Sequence, residues 1–322
     1  MDIDLSLLTE NVGLKFNGTV ILGREKVSKF IEENQNEFQD LDLSRLDDSH
    51  MLYGYNSSNN PIKIGFDKEG ISRIVILSDF KNQFKRFKCA IAYDGHMYNG
   101  FQIQDNQPTI QGILTDIVSE VNGYETLIQG CSRTDAGVHA NDFIIHFDSI
   151  YDIDADRWKQ LLNYRIPKDI QIKWVEETHP LFHSRYDAYK KRYIYKIKLG
   201  ESDPFKVNYE WAVENIDVES IKKNLKQLVG THDFSSFCKG QPGDKVRTLM
   251  KADLKQNKDE LTLIFEGDGF LRHMVRLIVY SVIEIARGKL GLGIEELLAE
   301  KSRIHTKHMA PASGLYLDEI TY

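Results

Sequence analysis

The stretch Phe87-Lys88-Cys89-Ala90-Ile91-Ala92-Tyr93 places its larger apolar side chains on every second residue. A strand turns successive side chains to opposite faces, so this period of two predicts a β-strand. Downstream, Ile110, Ile113, Leu114, Ile117, Val118 and Val121 recur at spacings of three and four. That is one apolar stripe of a helix, and a sheet is its natural packing partner. Further strands are predicted at Phe143–Phe147, Gln171–Trp174, Arg192–Lys198, Leu261–Phe265 and Leu315–Thr321, and further helices at Val218–Leu228 and His273–Ala286. Strands interspersed with a few helices, with few tight hairpins between them, predict an α+β fold in which helices pack on a largely antiparallel sheet.

Upstream of Phe87 the pattern is that of a separate, appended unit over residues 1–80. It is expected to be a small α+β domain with a strand near Leu14–Leu22 and a helix near Lys26–Phe38. Short strands follow at Met51–Tyr55, Pro61–Phe66 and Ile71–Leu77, with Asn56–Asn60 and Asp67–Gly70 as the turns between them. The polar segment Ser78–Arg86 is predicted to hold the linker, at residues 81–86.

The chain has 322 residues with 41% hydrophobic, 11% aromatic and 28% charged side chains, which supplies enough apolar area to exclude a disordered protein. Its longest strongly apolar run, Met274–Ile283, is broken by Arg276 and falls far short of the roughly 20 residues that span a bilayer. No membrane association is expected. Met1-Asp2-Ile3-Asp4 lacks the basic start of a secretory signal, so the cytoplasm is the expected compartment. Cys89, Cys131 and Cys238 are widely spaced, contain no Cys-x-x-Cys pair, and point to buried thiols rather than to zinc ligands or a disulfide framework. The net charge of −7 is shared between the two parts: 11 basic and 14 acidic residues lie in 1–86, and 30 and 34 in 87–322. Neither is a basic domain. A local basic tract does exist, where His183, Arg185, Lys190, Lys191, Arg192, Lys196 and Lys198 interleave with Tyr186, Tyr189, Tyr193 and Tyr195. It reads either as a solvated strand face or as a ridge that contacts phosphates.

The chemistry is concentrated in Gly130-Cys131-Ser132-Arg133-Thr134-Asp135-Ala136-Gly137-Val138-His139-Ala140. Small residues and Gly137 let a ligand approach the backbone there, and Arg133 beside Asp135 offers a charge that could hold a carboxylate ionised. On residue types alone a simple Asx-capped turn is an equal reading.

Arg133–Ala140 closely resembles the active-site signature of the TruA family of pseudouridine synthases, and other pieces follow in family order. These are Tyr93-Asp94-Gly95 with Tyr98–Gln104, Thr109-Ile110-Gln111, Phe182-His183-Ser184-Arg185 with Lys191–Tyr195, Asp233–Phe237, Arg247-Thr248, Phe270–Arg276 and Ala310–Leu317. The resemblance covers about Phe87 to Tyr322. It implies the pseudouridine synthase fold over 87–322, in two RRM-like halves (about 87–180 and 181–322) around a central RNA-binding cleft. The implied activity is isomerisation of uridine to pseudouridine in RNA, most specifically uridines 38 to 40 in the anticodon arm of tRNA, by a homodimer that needs neither cofactor nor metal.

Carried over residue by residue, Asp135 is implied as the catalytic carboxylate, Arg276 as its basic partner and Tyr193 as the aromatic that stacks on the target base. Arg133 is implied to fill the gap left by a flipped nucleotide or to hold a phosphate. His139 and Phe270 are candidates for the pocket wall, with a structural, hydrogen-bonded role an equal reading of His139. Arg185, Lys190, Lys191 and Arg192 become phosphate contacts that position RNA. The sequence departs from the family pattern at Phe101, where Trp is usual, at Arg165-Ile166-Pro167, where Asn-Leu-Pro is usual, and in the appended unit. That unit leaves room for a paralogue acting on ribosomal RNA, or for a protein partner of residues 1–80. A non-catalytic RNA-binding module is disfavoured by the intact Arg133, Asp135, Tyr193 and Arg276 set.

Overall fold

The structure, a computed structural model, describes residues 3–45, 50–77, 84–240 and 243–322. The N-terminal part is a six-stranded sheet and one α-helix. In chain order these are β1 (Leu8–Phe16), β2 (Thr19–Leu22), α1 (Arg24–Glu33), β3 (Asp42–Arg45), β4 (Met51–Tyr55), β5 (Pro61–Asp67) and β6 (Gly70–Ile76). The sheet runs β2-β1-β6-β5-β4-β3, antiparallel except for the β1/β6 pair. Val27 and Ile31 of α1 join Val12, Leu14, Ile62, Ile64 and Ile74 in a core of its own. The expected single strand at Leu14–Leu22 is two strands. Asn17 and Gly18 both take positive φ, 45° and 86°, and Asn-Gly is the pair that closes tight hairpins. The predicted helix ends at Glu33, five residues before Phe38 turns into this core.

The larger part contains β7 (Lys85–Tyr93), α2 (Ile110–Asn122), β8 (Gln129–Gly130), β9 (His139–Ser149), α3 (Ala155–Arg165), β10 (Ile170–Thr178), β11 (Lys190–Leu199) and β12 (Trp211–Val213). It continues with α4 (Val218–Lys226), β13 (Gly230–Asp233), β14 (Val246–Asn257), β15 (Glu260–Gly267), α5 (Met274–Ala286), α6 (Ile294–Glu300) and β16 (Leu315–Thr321). The main sheet runs β10-β7-β9-β16-β11-β15-β14-β13. Along this path every pair is antiparallel except β9/β16, where the strands from residues before 180 meet those from residues after it; β12, off the path, also runs parallel to β11. The α+β expectation therefore holds. Of the expected linker, residues 81–83 lie outside the described residues, while Lys85 and Arg86 already pair with Ser149 and Asp148 inside β7.

β7 has the predicted alternation but no wet face. Lys88 is buried, with its ammonium 4.9–5.5 Å from the ring centres of Trp174, Phe182 and Tyr322 and 3.1 Å from Glu176. Ring faces stabilise a cation that has lost part of its water. Helix α2 occupies the predicted span: Thr109 caps its first turn through Gly112 N–H, Gly123 ends it in the left-handed conformation, and Ile110, Leu114 and Val118 are fully buried.

Candidate active site

Two glycines bring the loop after β7 against the loop before β9. Gly100 has φ 84°, and a Cβ there would lie 2.2 Å from Thr134 O; a Cβ on Gly95 would lie 1.9 Å from Val138 O. Hydrogen bonds from Phe101 N–H to Thr134 O and from Gly137 N–H to Tyr98 O knit the loops together, and Tyr93 Oη lies 2.9 Å from Thr134 Oγ1. Within this frame Val138 N–H donates to Asp135 O across Gly137, whose φ of 77° suits the third residue of a tight turn. The Asp135 side chain is thereby turned inward toward α5.

Helix α5 meets it with its first turn. His273 Nδ1 lies 2.9 Å from Asp135 Oδ2, and Arg276 Nη1 donates to the same oxygen at 3.1 Å. Arg276 is fixed in turn: its Nε donates to Ala310 O, and Ala310 N–H donates back to Arg276 O. His273 precedes the helix in a left-handed conformation, φ 64°, which aims its ring across at the carboxylate. Burial is the largest single influence on Asp135 and would push its pKa up. The imidazole and guanidinium facing it outweigh that, and the carboxyl lies below the ordinary carboxylate range. Asp135 retains 27% side-chain exposure, so the anion is both held and reachable.

The anion opens on a cavity of about 700 Å³, lined by Arg133, Arg185, Lys191, Tyr193, Phe270 and Arg272 among others. Tyr193 and Phe270 meet edge to face, 4.9 Å between ring centres, and Tyr193 Oη lies 3.2 Å from Ser132 Oγ. Arg133 and Arg185 are exposed. Lys191 donates to Cys131 O at 2.7 Å, and burial lowers its pKa.

The expected site residues divide. Asp135, Arg133, Tyr193, Arg276, Phe270, Arg185 and Lys191 converge on the cavity. Lys190 and Arg192 are not among its walls: they alternate with Lys191 along β11, both pair with Glu266, and Arg192 also pairs with Asp318 and Glu319. His139 is also absent from the walls. It is buried behind the loop, accepts from Gly95 N–H at Nδ1, bonds Asn208 O through Nε2 and stacks on Tyr316 at 4.6 Å. Nδ1 also lies 3.0 Å from Asp94 Oδ1, and the Asn208 carbonyl calls for a proton on Nε2, so every ring nitrogen is occupied by the fold, as in a structural histidine. His273, Arg272 and Arg247 also line the cavity, beyond the site residues the sequence implies. The spacing of His273 and Arg276, one helical turn, was the available signal for the first.

The sequence model of the family described as tRNA pseudouridine synthase matches residues 89–187 and 225–322 of this chain. The chain belongs to that family. It is 40% identical over 244 residues to tRNA pseudouridine synthase A of Geobacillus sp., covering 74% of this chain and 98% of the relative. It is 39% identical over 244 residues to the same-named protein of Geobacillus kaustophilus (74% and 95%), and 39% identical over 243 residues to tRNA pseudouridine synthase A 1 of Bacillus cereus (74% and 98%). The chain is accordingly an isomerase of the tRNA pseudouridine synthase class. These alignments use nearly the whole of each relative and leave about a quarter of this chain unmatched. No described helix is long and apolar enough to cross a membrane.

Proposed function

We propose that the protein converts uridines 38 to 40 of the tRNA anticodon arm to pseudouridine with Asp135 as the catalytic carboxylate, and that it works as a homodimer. The observation that carries this reading is the ionised Asp135, held by His273 and Arg276 at a cavity wide enough for a nucleotide. Isomerisation breaks the bond between C1′ and N1, turns the uracil, joins C5 to C1′, releases the C5 proton and leaves a proton on N1. A positioned anion that attacks the base or the sugar, or removes a proton, is what those steps need. The same contacts that keep Asp135 charged also fix its orientation before substrate arrives.

In this reading residues 1–80 are an appended unit and 87–322 the catalytic region, whose two RRM-like halves, about 87–180 and 181–322, each supply a wall. Arg133 and Asp135 come from the first; Tyr193, Phe270 and Arg276 come from the second. Tyr193, braced by Phe270, offers a ring to the flipped base, a contact worth about 1–3 kcal/mol. Arg133 stands at the rim to occupy the space the nucleotide leaves, while Arg185 and Lys191 take phosphates. The test is tritium release from 5-tritiated uridine in unmodified tRNA transcripts and, in parallel, ribosomal RNA. Wild type should release tritium from tRNA, with the label lost at positions 38 to 40, and Asp135→Ala should release none while still binding. Release by Asp135→Ala would remove the catalytic role, and release from ribosomal RNA alone would remove the anticodon-arm assignment.

A further inference from the structure

The segment between β10 and β11 carries Arg185 into the cavity, and much of what fixes that segment comes from the appended sheet. Lys63 of β5 donates from one ammonium to Leu181 O at 2.8 Å and to Asp187 Oδ1 and Oδ2 at 2.9 and 3.1 Å. It thereby ties the two ends of a short loop, with Arg185 between them. Tyr53 of β4 donates its hydroxyl to Asp187 Oδ2 at 2.7 Å, and the same oxygen accepts His183 N–H from within the loop. His179 Nε2 bonds Gly54 O at 2.9 Å. Tyr53, Lys63 and Asp187 are each at most 5% exposed, and the Asp187 side chain is wholly buried. Removing one partner of a buried ion pair leaves an uncompensated buried charge, which costs far more than breaking a surface pair.

The residues on the two sides differ in origin. Asp187 ends a matched segment of the family, whereas Tyr53 and Lys63 lie before residue 89, where the match begins. We infer that the appended unit is a built-in clamp on the loop bearing Arg185, with Lys63 and Tyr53 as positioning residues for tRNA binding. This rests on the reading of Arg185 as an RNA contact. The clamp acts through the loop and leaves Asp135, His273 and Arg276 untouched. Its signature is a change in KM without a change in kcat that disappears once Arg185 is gone.

The experiment is steady-state pseudouridylation of tRNA by the full chain carrying Lys63→Met or Tyr53→Phe, each in the wild-type and in the Arg185→Gln background. Thermal unfolding serves as the check that each variant is folded. Lys63→Met should raise KM about tenfold at unchanged kcat, and Tyr53→Phe, which loses a single hydrogen bond, by a few-fold. In the Arg185→Gln background neither should raise KM further. The clamp is overturned by a wild-type KM in folded Tyr53→Phe and Lys63→Met, by equal increases in both backgrounds, or by a fall in kcat alone. A wild-type KM for Arg185→Gln itself would instead remove the RNA-contact reading and the clamp with it.

Discussion

Acid should loosen the Arg185 loop before it touches the Asp135 carboxylate, because three histidines hold that loop as hydrogen-bond acceptors. His179 Nδ1 accepts Leu181 N–H, His183 Nδ1 accepts Arg185 N–H, and His146 Nδ1 accepts Ser184 N–H. A proton placed on any of these nitrogens would face an N–H it now receives. Burial is the main cause that lowers all three, aided by the charges of Arg86 and Lys63. His179 and His183 fall to about 4, with Asp187 partly opposing, and His146 falls to about 2. The folded values lie below the unfolded 6.5, so the folded state binds fewer protons in that interval. The associated stability is complete above pH 6.5 and drains away as pH falls toward the folded values. About pH 5 lies roughly 1.5 units below the unfolded value of each histidine and, at about 1.4 kcal/mol per unit, each withdraws about 2 kcal/mol there. The three set a ceiling of about 6 kcal/mol, comparable with the whole stability of many domains. Urea unfolding followed by circular dichroism at about pH 7.5 and about pH 5, at fixed ionic strength, measures the loss. His146→Gln and His179→Gln should each shrink it by about 2 kcal/mol, since neither glutamine titrates. Equal wild-type stability at the two values, or variants that lose as much as wild type, would refute the reasoning.

Lys191 and Lys190 are adjacent in sequence but not in role: Lys191→Gln should lower the salt slope of tRNA affinity by about one, and Lys190→Gln should leave it unchanged. Filter binding across a salt series decides between them. Gly100→Ala forces a side chain into a left-handed position, costing roughly 1–2 kcal/mol, and drives its Cβ into Thr134 O. Turnover should therefore fall further than the melting temperature, and a variant with wild-type kcat would mean the loop adjusts without moving Asp135. His273→Ala removes one of the two groups that oppose the effect of burial on Asp135, so its rate should develop an acid limb at higher pH than wild type. Rate profiles between about pH 5 and about pH 8 test this.

The readable parts of the fold were those with one strong period. The α2 stripe and β16 were placed closely because apolar spacing determined both. Helix α3 escaped because it buries little beyond Trp158 and Leu162 in an otherwise polar run, and β14 because only Leu249, Ala252 and Leu254 of its length are buried. Asn17-Gly18 carried a hairpin signal inside what looked like one strand. In the site, Asp135, Tyr193 and Arg276 were legible through motif resemblance. The division of the basic tract was legible through strand geometry: with Tyr193 toward the cavity, Lys191 follows it, and Lys190 and Arg192 must face away. The role of Lys63 was not legible, since nothing local to Pro61–Asp67 announces a partner more than a hundred residues away.

The place of β16 in the main sheet has a bearing on how the molecule is made. It comes after every other strand in sequence yet lies between β9 and β11, where it fills the seam between the two groups of strands. During synthesis the nascent chain therefore holds two open β edges, those of β9 and β11, until the final strand emerges from the ribosome. Such edges invite pairing with other chains. Pro311 O and Ala310 O, which secure Tyr195 and Arg276, lie just before that strand. Closure of the sheet and completion of the Asp135 site thus belong to the same late event, and a chain stalled short of it would have neither.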